Sequence, residues 1–293
     1  MSIGLPYKGS KSEIAEELVA KLPPCNKILD ACCGGGAVLV TLAQSLKYKS
    51  VVGNDINPAT IKLLDAVLIN KGQIDYDHPW ECSRNDFLTS LQKIENGDFT
   101  VQDCVNKFCA SFGNIGKQYL YGEKCEEIKT TAEKMLIANK LSVRRGAFRK
   151  FVDLFRKLDD NGRLQRLEEL ERLERLERLE RLDIFDIDYS EFDVVYFDIP
   201  YKGTNKYDFD FDYERFYDLF STLKIPAFLS EYDAPFTEVA EFEKTQLMAA
   251  SVGSSKSTTM EKLYFNGSKE QYRSLMGRYY SDCSSFGQIE LEL

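Results

Sequence analysis

Asp198-Ile199-Pro200-Tyr201 carries the most pointed chemistry in the chain. It follows Val194-Val195-Tyr196-Phe197, an apolar run that reads as a buried strand. A carboxylate at the C-terminal end of a parallel strand stands where α/β sheets bind ligands. Asp198 can accept a hydrogen bond from an exocyclic amine. Pro200 stiffens the turn and brings no N–H to compete, and Tyr201 offers a face on which an unstacked base can lie. The same four residues also suit a strand that ends in an ordinary turn. A second group lies near the N-terminus. Asp30-Ala31-Cys32-Cys33-Gly34-Gly35-Gly36 is a glycine-rich turn between a strand and a helix, where a ligand can approach the backbone. It lacks the G-x-G-x-x-G spacing of the dinucleotide fingerprint, and a tight turn alone would use the same residues. The next strand ends in Asn54-Asp55-Ile56-Asn57. A carboxylate there can accept both hydroxyls of a ribose, while Asn54, Asp55 and Asn57 are equally good helix caps. Together the turn and the carboxylate, about 20 residues apart, point to an adenosine-type ligand.

Composition narrows the chemistry. The chain has 293 residues, 43% of them hydrophobic and 29% charged, which suits a folded protein with a real core. Its one histidine, His78, argues against a His-based triad or a multi-His metal site, and no metal is expected. The 8 cysteines include no C-x-x-C pair, and the expected state is reduced thiols. No apolar run approaches the roughly 18 residues of a membrane helix, so no membrane partner is expected. Residues 1–13 have no apolar signal core and are read as something other than a secretory leader. The net charge is −9, but residues 104–150 hold 10 basic and 4 acidic residues. Such a basic block on an acidic body suits either a phosphate-tracking insert or a solvated helical face.

The elements that would position these residues alternate. Ser10–Leu22 reads as a helix with a Ser10/Glu13 capping box, ended by Pro23-Pro24. Lys27–Ala31 reads as a strand, Ala37–Leu46 as a helix and Ser50–Gly53 as a strand. A helix follows from Pro58, with Asn57 as its cap and Gly72 as its stop. Strand-like runs return at Leu182–Ile187, Asp193–Phe197 and Ile225–Leu229, with a helix over Tyr213–Thr222. Lys244–Ala249 and Lys262–Phe265 suit an antiparallel pair. This is the pattern of a doubly wound, mostly parallel sheet with helices on both faces. Residues 1–80 and 183–293 are expected to form that domain. Residues 81–182 are expected to be an inserted, mainly helical region, with Asp86-Phe87 as a helix start. Within it, residues 163–182 repeat Arg-Leu-Glu. Leucines every third residue circle an α-helix, and Glu-first i,i+4 pairs such as Glu177–Arg181 support one. The expectation is a solvated spacer helix or an oligomerisation element.

The ensemble resembles the Dam-like, D12 class DNA adenine-N6 methyltransferases of phages and bacteria. Their N-terminal motif, an aromatic then Gly and Lys, matches Tyr7-Lys8-Gly9-Ser10-Lys11. Their loop for S-adenosyl-L-methionine (AdoMet), an acidic residue then F-x-G-x-G, is similar to residues 30–36. Their N-D-I-N matches Asn54-Asp55-Ile56-Asn57, and their acidic-aromatic pair matches Asp188-Tyr189. Their D-P-P-Y is similar to Asp198-Ile199-Pro200-Tyr201, and their Ser-x-Tyr to Ser230-Glu231-Tyr232. Residues 111–121 also resemble phage members. The chain departs from the pattern at Ile199, where the family usually has proline, and at Cys32-Cys33, where an aromatic is common.

The resemblance implies a Rossmann-like AdoMet-dependent fold and methyl transfer to adenine N6 in double-stranded DNA. An RNA base methyltransferase and a decayed DNA-binding homologue are the alternatives. It implies that Asp198 and the Ile199 carbonyl hold the N6 amine, with Pro200 shaping the turn and Tyr201 stacking on the base. Tyr7, Lys11, Asp30, Cys32, Gly34, Gly36, Asp55, Ile56, Asp188, Tyr189 and Asp198 would line the AdoMet site. Lys107, Asn114, Lys117, Arg144 and Arg145 would meet DNA. A monomer working in the cytoplasm of a bacterial or phage-infected cell, with or without a restriction partner, is the expected setting.

Overall fold

The structure is a computed structural model that describes residues 4–7, 9–74, 82–112, 116–120, 176–201, 211–247 and 256–284. In chain order its elements are α1 (Ala15–Ala20), β1 (Cys25–Asp30), α2 (Ala37–Gln44), β2 (Tyr48–Asn54), α3 (Pro58–Leu68), α4 (Arg84–Glu95), α5 (Val101–Cys109), β3 (Leu176–Glu180), β4 (Val194–Phe197), α6 (Tyr213–Thr222), β5 (Ala227–Glu231), β6 (Thr237–Leu247), β7 (Lys256–Phe265) and α7 (Lys269–Ser284). They divide into two compact units. A sheet unit holds Lys11–Cys33, Ala37–Ile56 and Leu173–Leu293, and a helical unit holds Met1–Ser10, Gly34–Gly36 and Asn57–Arg172.

The sheet unit is built on seven strands in the order β3-β2-β1-β4-β5-β7-β6. The first five run parallel, and β7 is antiparallel to both β5 and β6. The central strands are apolar on both faces, as parallel strands covered on both sides must be. Alternation sorts their side chains. Leu29, Val195, Phe197 and Leu229 share a core with Phe216 and Phe220 of α6. The Phe197 ring lies 5.2 Å from Phe216 and 6.0 Å from Phe220. On the opposite face Phe228 stacks on Phe265 at 5.1 Å, with Tyr272 of α7 beside it. Gly53 admits α2 on that face, because a Cβ there would stand 2.8 Å from a Leu39 methyl. Helices therefore cover both faces, and the sheet is the Rossmann-like one that the alternation predicts.

The helical unit is assembled from local caps. The Asn57 side chain accepts from the Ala59 and Thr60 amides at the start of α3. Reciprocal capping boxes Ser83/Asp86 and Thr100/Asp103 open α4 and α5, so Asp86-Phe87 is a helix start as read. Phe87 packs with Cys82, Ala110 and Tyr119, and the Tyr119 hydroxyl donates to the Cys82 carbonyl at 2.6 Å.

Four expectations need correction. Residues 163–182 do not form one helix, because Leu176–Glu180 is strand β3, paired parallel with β2. Leu, Arg and Glu all favour helix, but edge pairing overrides that preference here. Arg178 bonds Glu177, Glu180 and Glu191, and its expected i,i+4 partner Glu174 lies outside the described residues. Residues 163–175 lie outside the described residues. Leu182–Ile187 is loop and turn where a strand was expected. Ser10–Leu22 is helical only over Ala15–Ala20, with Ile14 at the N-cap and no side-chain cap. Turns precede it as Lys11 reaches the carboxylates of Asp198 and Glu261. The final antiparallel pair runs over Thr237–Leu247 and Lys256–Phe265, longer than expected and in register Lys244↔Thr259.

Lys47, just before β2, ties down the end of α1. Its ammonium donates to the carbonyls of Val19, Ala20 and Leu22 at 2.9, 2.9 and 3.0 Å. Replacing it with methionine strands those acceptors. Lys47→Met is expected to lower unfolding stability by about 1–3 kcal/mol, read by urea denaturation. An unchanged midpoint would show that water replaces the lysine without loss.

Candidate active site

The C-terminal end of β4 delivers Asp198 at the point where the strand order turns about β1. Lys11 meets it with a bidentate contact, Nζ lying 2.6 Å from Oδ1 and 2.7 Å from Oδ2. Lys11 is 4% exposed and Asp198 22%, so this is no surface pair. A second carboxylate, Glu261 of β7, is fully buried and stands 3.3 Å from the same ammonium. Lys244 of β6 approaches the far side of Glu261 at 3.9 Å. Tyr201 completes the cluster, with the Lys11 ammonium 4.8 Å from its ring centroid and the Tyr232 ring edge-on at 4.6 Å. The Tyr201 face on which a base was expected to stack thus meets a cation in this conformation.

Burial works to lower the Lys11 pKa, but the charges of Asp198 and Glu261 raise it well beyond the ordinary value. For Asp198, burial raises the pKa, Lys11 opposes, and Glu261 raises it again. Burial is the largest of these and leaves the Asp198 pKa above the usual carboxylate value, while the short bidentate contact with Lys11 favours the ionised form. Burial, then Asp198 and Glu261, push the Tyr201 hydroxyl far up, so it stays a neutral phenol.

The rest of the turn is fixed from below. Ile199 is 1% exposed and packs into the core beneath α6. Tyr213 of α6 donates to the Pro200 carbonyl at 2.9 Å. The Ser-x-Tyr motif enters through Ser230, whose hydroxyl pairs with Tyr196 at 2.8 Å in the buried sheet face.

Asp30 ends β1 beside this cluster. Both of its carboxylate oxygens are buried, and among the described residues neither has a hydrogen-bond partner of good geometry. Burial, followed by the charges of Asp198 and Asp55, raises its pKa well above the usual carboxylate value, with the Cys32 backbone and Lys11 pulling the other way. Burial, Asp55 and Asp30 also push the Cys32 and Cys33 thiols up, which leaves them protonated and poor nucleophiles. Asp55 is half-buried, and its amide donates to the Glu180 carbonyl of β3 at 3.2 Å. Asn54 orders this stretch by bonding Ala31 and Leu182 through their backbones. Ile56 is 50% exposed.

Asp188 and Tyr189 have local partners. Asp188 is exposed and caps a short 3-10 turn by accepting from the Ser190 amide and hydroxyl. Tyr189 is buried against Phe197, and its hydroxyl donates to Ile184 at 2.6 Å. In the helical unit, Tyr7 fills the space that Gly34 and Gly35 leave open. A Cβ on Gly35 would stand 2.5 Å from the Tyr7 Cβ. Gly36 takes φ +79, a conformation that favours glycine. Lys107 of α5 lies over the Phe108 ring, and Lys117 is exposed. Asn114, Arg144 and Arg145 lie outside the described residues.

Glu261 and Lys244 were not read from the sequence. A signal existed, since strand alternation puts Glu261 on the face of Leu263 and Phe265, where a charge needs a partner.

The sequence model of the D12 class N6 adenine-specific DNA methyltransferase family matches residues 7–266. No curated protein matches the chain.

The unpartnered Asp30 makes stability depend on pH. Its folded pKa lies above its unfolded one, so the folded state holds more protons between the two values. Stability therefore falls as pH rises through that window. Asp30→Asn is expected to flatten the fall and to be more stable than the wild type at pH ~8. Urea midpoints at pH ~5 and ~8 measure this, and equal slopes in both proteins would refute it.

Proposed function

We propose a catalytic assignment from one premise: the chain belongs to the D12 class of N6 adenine-specific DNA methyltransferases. Enzymes of this class transfer a methyl group from AdoMet to adenine N6 in DNA. AdoMet supplies an electrophilic methyl on a cationic sulfonium. The observation that carries the assignment is Asp198, a partly open carboxylate in an otherwise buried charge cluster at the end of β4.

In this reading Asp198 and the Ile199 carbonyl accept the two N6–H bonds of an adenine flipped out of duplex DNA. Accepting those hydrogens would raise the electron density on N6 for attack on the methyl that AdoMet supplies, the S–CH3 bond breaking as the N6–CH3 bond forms and one N6 proton passing to the Asp198 carboxylate. Tyr201 and Tyr232 present the aromatic surface for the base. Pro200, held by Tyr213, keeps the turn still while the amine docks.

The cofactor's charge suits the acids of the sheet unit. AdoMet carries a sulfonium and an ammonium, and a buried carboxylate without a donor favours a cationic group beside it. Asp30 would take the charged end and Asp55 the ribose hydroxyls, with Cys32 and Ile56 alongside. The resemblance adds Tyr7, Lys11, Gly34, Gly36, Asp188 and Tyr189 to the same role. Among these, Asp188 and Tyr189 are held by local partners, which supports a framing role more than direct bonding. The DNA contacts are assigned to Lys107, Asn114, Lys117, Arg144 and Arg145. The basic excess of residues 104–150 supports this.

Two measurements test the assignment. Labelled methyl from AdoMet should appear as N6-methyladenine in unmethylated DNA and not in RNA. Asp198→Ala should reduce the transfer rate at least ~10²–10³-fold. Transfer by Asp198→Ala at the wild-type rate would dismiss Asp198. Binding of a DNA duplex should weaken steeply with salt, and Lys117→Ala should reduce the log–log slope by about 1. Unchanged affinity between low and moderate salt would dismiss the phosphate contacts.

A further inference from the structure

We propose that Glu261 is a positioning residue for methyl transfer, the counter-ion that takes over Lys11 when adenine N6 claims Asp198. The inference rests on the assignment of Asp198 as amine acceptor. Both Asp198 oxygens already hold the Lys11 ammonium at 2.6 and 2.7 Å. An incoming amine needs one of them. Lys11 is 4% exposed, so it cannot carry its charge into water, and a buried ammonium must keep an anion beside it. Glu261 is fully buried and already 3.3 Å away. A shift of about half an ångström brings Lys11 to full hydrogen-bond distance from it. Lys244 stands by the far oxygen of Glu261 at 3.9 Å and holds that carboxylate from its other side. The Tyr201 ring lies under the ammonium at 4.8 Å and offers its negative face to the moving charge. Glu261 itself sits in β7, between β5 and β6, where pairing with Phe242 fixes its register.

The groups around Asp198 set the sign of a test. Lys11 and Lys244 favour its charged form, and Glu261 disfavours it. Asp30 at the end of β1, Cys32 beyond it, Tyr196 within β4 and Tyr201 after it also respond to its charge. Glu261→Gln should therefore move the acid limb of kcat/KM to lower pH while reducing the rate. Lys244→Met should move that limb to higher pH. A residue that only supports the fold would scale the rate and leave the limb in place.

The experiment uses the full chain, labelled AdoMet and unmethylated plasmid DNA, with wild type, Glu261→Gln, Glu261→Asp, Lys244→Met and Asp198→Ala side by side. For Glu261→Gln, kcat should fall about ten- to hundredfold. KM for DNA and for AdoMet should stay within about twofold. Glu261→Asp keeps the charge and should recover part of the rate. Wild-type kcat in Glu261→Gln, an unmoved acid limb, or no recovery by Glu261→Asp would overturn the proposal. Should Glu261→Gln not fold, the opposite limb shift in Lys244→Met carries the test, and its absence overturns the proposal equally. The two readings separate at Asp198→Ala. Continued transfer there removes Asp198 from its role. Silence there with an unaffected Glu261→Gln removes Glu261 alone.

Discussion

The buried pair of Lys11 and Asp198 is the constraint on which the site depends. Taking two charges out of water costs about as much as their attraction returns, unless the geometry is good and the remaining atoms have partners. Here the contact is bidentate, a second carboxylate stands beside the ammonium, and an aromatic face closes one side. Each feature asks something of the chain. The approach to α1 gives up helical turns, so that Lys11 points inward instead of lying on a helix surface. The sheet gains β7 and β6 beyond its parallel strands, and these bring Glu261 and Lys244.

Strand alternation explains why the cluster disturbs only one face of the sheet. Leu29, Val195, Phe197 and Leu229 point towards α6 and make an uninterrupted apolar layer. The next residue along each of these strands, Asp30, Tyr196, Asp198 and Ser230 in turn, is polar. By the two-residue period Glu261 joins the face of Asp30, Tyr196 and Ser230. A buried polar row of this kind is tolerable only where its members pair. Tyr196 and Ser230 pair with each other, and Glu261 pairs with the lysines. Among the described residues the oxygens of Asp30 and Glu261 alike have no hydrogen-bond donor, so Glu261 is held by charge alone and Asp30 is not paired within the row. The row reaches the C-terminal ends of β1 and β4, the crevice where the strand order reverses and where such sheets accept ligands.

Most of the parallel core was legible in the sequence, because short apolar runs ending in Asp30, Asn54 and Asp198 state both the strand and its functional end. The Asn57-Pro58 helix start was legible for the same reason, since cap chemistry is local. What escaped was decided by distant partners. Leu176–Glu180 has helix-forming residues in a repeat, and only the open edge of β2 makes it a strand. Glu261 lies in a segment of mixed polarity, and its importance comes from Lys11, which is 250 positions away in the chain. Spacing along a sequence reveals a motif. It does not reveal which charge will stand opposite it.

Ile199 stands where the resembling motif has proline, and the structure gives it a different restraint. Proline at this position would hold the turn by restricting φ. Isoleucine gives up that restraint and its amide gains a proton. Its branched side chain is stiff, though, and it is buried among Leu29, Phe197 and Phe216. The Ile199 carbonyl, proposed above as an acceptor for the amine, is then positioned by packing instead of by a ring. Tyr213 pins the following carbonyl from the same helix. Both restraints on the turn therefore come from α6 and the core under it, so the accuracy of the proposed amine site is tied to how well that helix is seated.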